Sequence, residues 1–410
     1  MLMQSLSWTA DELLAFQRSQ LSQLLVHARD NVPFYKDRLN CVFRSDGIID
    51  WSRWTEIPIL TKADLRDHGS QLSARRLPIG HGVKKSFYSS GSTGIPVKVT
   101  TTSLAEIVRR SLWTRYYALN EISAPFKTIK FWFTLPGEKS FNGKRFETMD
   151  GQLYGNRNLS LAIQLDVIAE TAVTRLAEFT TTLVQLADEN LKRRQPVRLA
   201  VVVAYGMGLC IADRVLLEKS FGARVLSPYS SKEGGIMAFQ VQPDTHYVVC
   251  AEAIVPEFLP AEGSEELSRM IITPLFNAAQ PLIRYDQGDL VKLTPKTYKN
   301  GALPVIAEIR GRVDDFFMLK GHRVPIAGLQ EDMLRKQLRA KAFQVAQIGD
   351  NTIEVRYVAG RYMTPGRKAA LTRHMRVKLQ QDFDVDYVKL KVIPSTSSGK
   401  QQRFRREFMS

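Results

Sequence analysis

The chain has few cysteines, no long apolar run and fewer acidic than basic residues. Its three cysteines, Cys41, Cys210 and Cys250, lie far apart in 410 residues, which argues against a disulfide framework and against a zinc site. No apolar run approaches the ~18 residues that cross a bilayer. The first residues lack the charged and apolar stretches of a secretory signal. We therefore expect a cytoplasmic protein with no membrane partner.

The shortage of acidic residues gives the chain a strong positive charge. The sequence holds 57 Lys and Arg against 41 Asp and Glu, a formal net charge of +16. About 19 basic and about 10 acidic residues lie from Val313 onward. A surface of this sign attracts polyanions such as nucleic acid, ATP, coenzyme A or an acidic carrier protein. A solvated basic face explains the same charge, so composition alone does not identify a partner.

The pattern of apolar residues predicts an α/β fold. A capping box, Thr9-Ala-Asp-Glu12, opens a helix over 13–26, and a second one is predicted at Ser103-Leu-Ala-Glu106. A long helix is predicted over 166–194, followed by an apolar strand over 199–204. A helix over 209–220 then stops at Gly222, and a strand follows.

After Gly311 the character of the sequence changes. A helix, two strands, a helix and a strand make up a basic α+β unit of about 95 residues, near the lower size of a domain. The predicted domains are therefore 1–312, large and with mixed sheets and helices, and 313–410, which is small.

Five segments combine glycine with hydroxyl, acidic or basic side chains. They are 88–96 (YSSGSTGIP), 229–235 (YSSKEGG), 281–289 (PLIRYDQGD), 310–315 (RGRVDD) continuing to 320–323 (KGHR), and 395–400 (STSSGK). Glycines in the first let backbone N–H groups converge on phosphate oxygens, although no Gly-Lys-Ser/Thr ending makes it a Walker A loop. A flexible hairpin loop is the alternative for this segment, and a solvated basic tail is the alternative for the last.

Individual side chains in these segments suit nucleotide chemistry. The Glu233 carboxylate, at a strand end beside two glycines, suits a magnesium ligand near phosphates. The Asp289 carboxylate can accept both hydrogen bonds of a ribose diol. Lys400, on a turn of small residues, can reach into a site as a mobile point charge.

In this order the five segments resemble the acyl- and aryl-adenylating superfamily of acyl-CoA synthetases, luciferases and peptide-synthetase adenylation domains. Val32-Pro-Phe-Tyr35 and Ile57-Pro-Ile-Leu-Thr-Lys62 look like the phenylacetate–CoA ligase branch. The resemblance runs from about residue 20 to about residue 403. It implies an ATP-dependent ligase with a mobile C-terminal domain, which turns a small carboxylic acid into its acyl-AMP and then into a coenzyme A thioester.

The resemblance also implies roles for particular residues. Those that would contact the nucleotide are Ser89, Ser90, Gly91, Ser92, Thr93, Gly94, Gly206, Tyr229, Asp289 and Arg312. Glu233 would bind Mg²⁺, Asp314 would be the hinge, and Lys400 would bridge the substrate carboxylate and the α-phosphate. Residues 320–323 would approach the thiol when the small domain rotates.

The sequence departs from the family pattern at Ser230 and Lys232, where glycine and Ser/Thr are usual, and the branch's cysteine-rich metal site is missing. We expect no zinc. Residues 131–133 (FWF) and Tyr229 could line an aromatic pocket, or residues 131–135 could be an ordinary buried strand.

Two alternatives to coenzyme A ligation remain open at this point. One is transfer of the acyl group to a carrier protein, an amine or a hydroxyl. The other is a non-catalytic nucleotide- or nucleic-acid-binding protein. Nucleic acid is not the expected partner, because no zinc-finger, helix-turn-helix or RNA-binding signature accompanies the charge.

Overall fold

The computed structural model describes residues 2–88, 97–123, 126–136, 139–149, 151–206, 208–241, 245–262, 264–312, 316–326, 329, 331–393 and 402–408. They form two compact units, each built from two stretches of chain: Met1–Ser123 with Tyr229–Arg312, and Ala124–Pro228 with Val313–Ser410. We call these unit 1 and unit 2. The chain leaves unit 1 for good at Arg312, where the sequence places its domain boundary. The division into 1–312 and 313–410 itself stays a prediction.

The helices in the described residues are α1 Ala10–Asn31, α2 Lys62–Asp67, α3 Ser103–Leu119, α4 Leu161–Glu170, α5 Thr180–Asn190, α6 Ile211–Phe221, α7 Glu331–Leu338 and α8 Pro365–Leu379. The strands of unit 1 are β1 Lys84–Tyr88, β2 Lys98–Thr102, β9 Pro228–Ser231, β10 Gly235–Gln240, β11 Tyr247–Val249, β12 Ile254–Pro260, β13 Ser268–Pro274, β14 Tyr285–Thr297 and β15 Pro304–Arg312. The strands of unit 2 are β3 Thr128–Trp132, β4 Phe146–Met149, β5 Gln152–Asn156, β6 Arg175–Phe179, β7 Val201–Tyr205, β8 Arg224–Leu226, β16 Phe316–Leu319, β17 His322–Pro325, β18 Ala342–Gln347, β19 Thr352–Val358, β20 Asp384–Lys389 and β21 Phe404–Arg406.

Unit 1 is built on a seven-stranded sheet in the order β12-β13-β14-β15-β11-β10-β9, beside the β1–β2 hairpin. Helix α1 begins with the predicted capping box: the Thr9 hydroxyl accepts from the Glu12 N–H at 3.2 Å, and the Glu12 carboxylate accepts from the Thr9 N–H at 2.8 Å. Leu21, Leu24 and Leu25 are buried on one face of this helix. Their spacing of three to four residues is why the helix packs in the core along a single stripe.

Unit 2 contains a six-stranded sheet in the order β4-β5-β3-β6-β7-β8. Strands β5, β3, β6, β7 and β8 run parallel, and only β4 is antiparallel to its neighbour. Helices α4, α5 and α6 contribute Leu165, Leu186 and Leu217 to the apolar core. Because parallel strands carry their helices on the faces, their carboxyl ends are left open at one edge.

The C-terminal part of unit 2 has its own four-stranded sheet, β20-β19-β18-β21, and its own apolar core with α7 and α8. The predicted helix, two strands, helix and strand correspond to α7, β18, β19, α8 and β20, and β16, β17 and β21 are strands that were not predicted. Together with the helix-and-sheet layers above, this confirms the mixed α/β fold class. No helix in the described residues combines the length and apolar character of a bilayer span.

One long helix predicted from the sequence is wrong. Residues 166–194 form the end of α4, strand β6 and helix α5. Ala172 takes a positive φ of +47° where the chain leaves α4, and β6 then pairs in parallel with both β3 and β7. Apolar residues in a strand buried on both faces give a continuous run, which short windows do not distinguish from a helix.

The second predicted capping box is shifted by one residue. Helix α3 begins at Ser103, but its N-cap is Thr102, whose hydroxyl accepts from the Ala105 N–H at 3.2 Å. The Glu106 carboxylate pairs instead with Arg109 one turn later, at 2.6 Å. An N–H group at the start of α3 is therefore capped by Thr102, which is also the last residue of β2.

Candidate active site

Part of the predicted site falls outside the described residues. These residues are Ser89, Ser90, Gly91, Ser92, Thr93, Gly94, Asp314 and Lys400. The strands on either side of the first segment are present, because β1 and β2 pair antiparallel from Lys84 opposite Thr102 to Tyr88 opposite Lys98. The glycine-rich segment therefore connects the two strands of a hairpin, as the sequence predicts.

The second and third segments meet in unit 1 through a buried hydrogen bond. The Tyr229 hydroxyl donates to Oδ2 of Asp289 at 2.7 Å. Both residues are buried, and 60 positions separate them in the chain. Gly288, with a φ of +78°, makes the tight turn that precedes Asp289. This bond fixes the direction of a carboxylate that the sequence assigns to ribose.

The turn between β9 and β10 carries the predicted magnesium ligand. The Glu233 side chain is half-buried and pairs with no other described residue. Gly234 beside it is required by packing, because an added Cβ would lie 2.5 Å from Cδ1 of Ile272. The turn is closed by the Gly234 N–H, which donates to the Ser231 hydroxyl at 2.8 Å.

The two departures from the family pattern have different environments in this turn. The Lys232 ammonium donates to the carbonyl oxygen of Tyr88 and lies 5.9 Å from the centre of the Phe87 ring. It therefore joins the turn to the strand that precedes the glycine-rich segment. Ser230 is exposed, since strand residues alternate and its neighbour Tyr229 points inward.

Asp289 and Arg312 occupy opposite positions on neighbouring strands β14 and β15. The sequence assigns both residues to the nucleotide, and the sheet register brings their backbones together although 23 positions separate them.

The N-terminal segments 32–35 and 57–62, which suggested the ligase branch, make hydrogen bonds to the third segment, 281–289. The Tyr35 hydroxyl donates to the Pro281 carbonyl at 2.9 Å and accepts from the Ile283 N–H at 3.1 Å. Complete burial raises the pKa of Tyr35 above its usual range. Arg284, in a left-handed conformation with a φ of +52°, donates to the carbonyl oxygens of Thr55 and Ile57. These contacts explain why segments far apart in sequence belong to one signature.

Gly206, the remaining described residue that is predicted to contact the nucleotide, lies in unit 2 at the carboxyl end of β7. Its φ is +82°, and an added Cβ would lie 2.6 Å from Cδ1 of Phe179. Only glycine meets both conditions without a shift of the ring.

A charged group lies buried at the same edge of the sheet. The Arg157 guanidinium pairs through Nη2 with Oε2 of Glu178, and its Nε donates to the Phe131 carbonyl at 3.0 Å. The other Glu178 oxygen accepts from the Phe179 N–H at 2.7 Å. Burial raises the pKa of Glu178, and the positive charge of Arg157 partly offsets this rise. The pKa of the Tyr205 hydroxyl is raised by burial and by the negative charge of Glu178.

Aromatic rings surround this ion pair. The Arg157 guanidinium carbon lies 5.5 Å from the Phe133 ring centre and 5.3 Å from that of Phe179. The Phe179 and Tyr205 rings are 4.9 Å apart. Strand β3 ends at Trp132. Phe131 is fully buried, but Trp132 and Phe133 are exposed, so the interpretation of 131–135 as an ordinary buried strand holds only for Phe131.

Sequence reasoning missed Arg157 and Glu178. Glu178 was hidden inside the single long helix predicted over 166–194, and Arg157 follows a strand that was not predicted. The sequence offered no strand-end signal for them, because neither β5 nor β6 was predicted. In the structure, Phe133, Arg157, Glu178 and Tyr205 all lie at or just after strand ends. Ligands of open α/β sheets bind at the carboxyl ends of the strands.

Among the described residues, no three His, Cys, Asp or Glu side chains come together as a metal-binding group. In unit 1, the Asp289 carboxylate is held by Tyr229, and Glu233 lies on the turn between β9 and β10. In unit 2, a buried ion pair is flanked by aromatic rings.

Comparison with known proteins gives a consistent set of relatives. No known family profile matches the chain. It is 25% identical over 356 residues to the phenylacetate–coenzyme A ligase of Escherichia coli strain K12, covering 82% of this chain and 79% of that protein. It is 26% identical over 357 residues to the enzyme of the same name from Thermus thermophilus, covering 77% and 73%.

Solved structures show the same fold at lower identity. A 2-hydroxyisobutyryl-CoA ligase in the postadenylation state, in complex with 2-HIB-AMP, aligns with a TM-score of 0.70 at 15% identity over 97% of this chain and 90% of that one. An acyl acid amido synthetase aligns with a TM-score of 0.64 at 15% identity over 98% and 93%. These structures confirm the fold alone, and the sequence relatives confirm the predicted resemblance to the phenylacetate–CoA ligase branch.

Proposed function

We propose that this chain, whose sequence relatives and fold are those of the adenylate-forming superfamily and its phenylacetate–CoA ligase branch, activates a carboxylic acid with ATP and transfers the acyl group to coenzyme A. Relatives named phenylacetate–coenzyme A ligase match over about four-fifths of the chain. The proposal concerns an ATP-dependent ligase in a reducing, cytoplasmic compartment.

The observation that supports it best is the hydrogen bond between Tyr229 and Asp289. It brings together two of the segments that a nucleotide would need, and the sheet register adds Arg312 opposite Asp289. Lys232 links the same turn to Tyr88, next to the glycine-rich segment. A random set of glycine turns would not bring four of the five segments together in this way.

The chemistry explains why such a site needs no catalytic triad. A carboxylate is a weak nucleophile that the negative charge of ATP repels, so the enzyme must supply cations and N–H donors. We propose that residues 89–94 donate to phosphate oxygens and that Lys400 holds the substrate carboxylate against the α-phosphate. Asp289, held by Tyr229, would orient the ribose, and Gly206 would pack against the adenine.

Residue Glu233 fits a magnesium ion. Its half-buried carboxylate has no partner among the described residues, and a carboxylate oxygen is a preferred ligand of this hard cation. Bound Mg²⁺ would neutralise phosphate charge. Asp314 as a hinge, a mobile C-terminal domain, and residues 320–323 near the thiol complete the proposal for the second half-reaction.

The test of the function is acid-dependent exchange of pyrophosphate into ATP over a panel of aryl and aliphatic acids. Exchange with at least one acid supports adenylation, and its absence with every acid leaves a nucleotide-binding protein. Coenzyme A, a carrier protein and simple amines are then added in turn to identify the acceptor, because the basic C-terminal segment suits coenzyme A and an acidic carrier alike.

The variant Lys400→Ala separates the two half-reactions. We expect exchange to fall ~10²–10³-fold, the usual effect of removing one stabilising donor, while thioester formation from supplied acyl-AMP is retained. Lys391→Ala, which changes an exposed lysine nearby in sequence, is the matched control and should leave both rates unchanged. Equal loss of both half-reactions in the Lys400 variant would contradict its role.

A further inference from the structure

Four neighbouring parallel strands of unit 2 each place a charged or aromatic side chain at one edge of the sheet. In spatial order they are β5, β3, β6 and β7. Arg157 follows β5, Phe133 follows β3, Glu178 and Phe179 end β6, and Tyr205 ends β7. This edge is where open α/β sheets bind ligands, and Gly206 continues directly from it.

The ion pair at this edge is not explained by stability. The Arg157 side chain is 9% exposed and that of Glu178 is 0% exposed. Removing two charges from water costs about as much as their attraction returns, so apolar residues of similar size would serve a core equally well. Buried charges in a cleft are instead frequent at functional sites.

The guanidinium still has hydrogen-bonding capacity. Nε is bonded to the Phe131 carbonyl and Nη2 to Glu178, whereas Nη1 has no partner among the described residues. Its amino group is therefore available to an acceptor on a ligand. The flanking faces of Phe133 and Phe179 suit the flat apolar body of such a ligand.

We infer that Arg157, held in place by Glu178, determines which acid is activated, and that it selects aryl acids carrying a neutral hydrogen-bond acceptor such as a ring hydroxyl. This inference rests on the proposed function. Glu178 already balances the positive charge, so a second carboxylate on the ligand gains no charge attraction. A neutral hydroxyl oxygen can accept a hydrogen bond from Nη1, and this bond does not depend on an unbalanced positive charge.

The test compares benzoates and phenylacetates that carry hydroxyl, methyl, carboxyl or no ring substituent, in each ring position. A methyl group matches a hydroxyl in size and cannot accept a hydrogen bond. For the wild-type protein we expect kcat/KM for exchange to favour the best hydroxylated acid over its methyl analogue ~10- to 100-fold, the range for a hydrogen bond to a charged group. The carboxyl analogue should show no such advantage.

Two variants test the assignment. Arg157→Met combined with Glu178→Gln removes both charges, so no unpaired charge is left buried, and Arg157→Lys keeps the charge but not the planar donor fork. In both, the preference for hydroxyl over methyl should fall to about one. Arg145→Met, which removes an exposed pair with Glu170 in the same unit, is the control and should keep the preference.

Equilibrium dialysis of the labelled acids without ATP separates this inference from the proposed function. A hydroxyl preference in binding that the Arg157 variants lose, with no exchange for any acid, would support the inference while the proposed function fails. Equal binding and equal exchange of hydroxyl and methyl acids by the wild-type protein would overturn the inference. So would a preference that persists in both folded variants.

Discussion

Among the described residues, one arginine–glutamate pair in each unit has both side chains at most 9% exposed, and the two pairs differ in what surrounds them. In unit 1, Arg115 pairs with Glu252 at 2.6 Å and both side chains are completely buried. The same guanidinium donates to the Leu2 carbonyl at 2.9 Å and to the Ser5 hydroxyl at 3.2 Å. In unit 2, the pair of Arg157 and Glu178 lies beside Phe133, whose ring is 39% exposed.

The difference indicates that the same chemical pair serves two purposes. Arg115 joins the first residues of the chain to the core, and the nearby Phe239 ring is itself buried. Arg157 follows β5 and contacts residues of β3 and β6 at an edge where Phe133 is exposed. We therefore expect changes at the first pair to affect mainly folding stability and changes at the second to affect mainly the choice of substrate.

The largest expected effect is that of Arg115→Met on stability. It leaves the Glu252 carboxylate buried without its partner, so the free energy of unfolding should fall by ~3–5 kcal/mol. Urea unfolding followed by circular dichroism measures this. Arg53→Met, which breaks an exposed pair with Glu56, is the control and should cost less than ~1 kcal/mol. Equal losses in the two variants would remove the basis of the comparison.

A smaller effect is expected for Gly206→Ala, which disturbs the second pair through Phe179. The new Cβ must displace a ring that also contacts Arg157, and the positive φ adds strain, for a total of ~1–3 kcal/mol. Gly151→Ala has a φ of +72° but open space around the added Cβ, so it measures the backbone strain alone. The difference between their unfolding free energies gives the contribution of the ring, and no difference would show that Phe179 moves freely.

The smallest effect distinguishes the two pairs by pH. Burial raises the pKa of the Cys250 thiol beside Arg115 and of the Tyr205 hydroxyl beside Glu178. A raised pKa means that the unfolded chain loses its proton first, so stability is fully present below the unfolded pKa and declines as pH rises above it. The decline should begin near ~8.5 for Cys250 and near ~10 for Tyr205, at up to ~1.4 kcal/mol per pH unit for each group.

Two single substitutions test these pH ranges by urea unfolding at a series of pH values. Cys250→Ala should flatten the dependence from about pH 8.5 upward, whereas Tyr205→Phe should flatten it only above about pH 10. Identical curves for the wild-type protein and the cysteine variant between about pH 8.5 and about pH 10 would show that the thiol does not ionise differently on unfolding.

The sequence was sufficient for the fold class and for the order of most helices and strands. The capping box at Thr9 and the helix stop at Gly222, whose φ is +63°, depend on local chemistry that a short segment carries by itself. The glycines in the five segments likewise predicted that Glu233 and Asp289 lie at tight turns. Local signals of this kind survive in the folded protein.

What the sequence could not provide depends on contacts between distant residues. Strand β6 is fixed by its two parallel neighbours rather than by its own pattern, so Glu178 was assigned to a helix. The role of Lys232 was open because its partner, the Tyr88 carbonyl, lies 144 positions away. The partners of Arg157 were hidden for the same reason, since strand order decides which strand ends meet.

The hydrogen bonds of Tyr35 have a consequence for synthesis on the ribosome. Its partner Pro281 lies 246 positions later, so a growing chain cannot complete the core of unit 1 until most of the protein has been translated. Residues 124–228 emerge between the two stretches of unit 1 and have an apolar core of their own. Nascent chains therefore expose apolar surface of unit 1 until its second stretch, Tyr229–Arg312, has been translated.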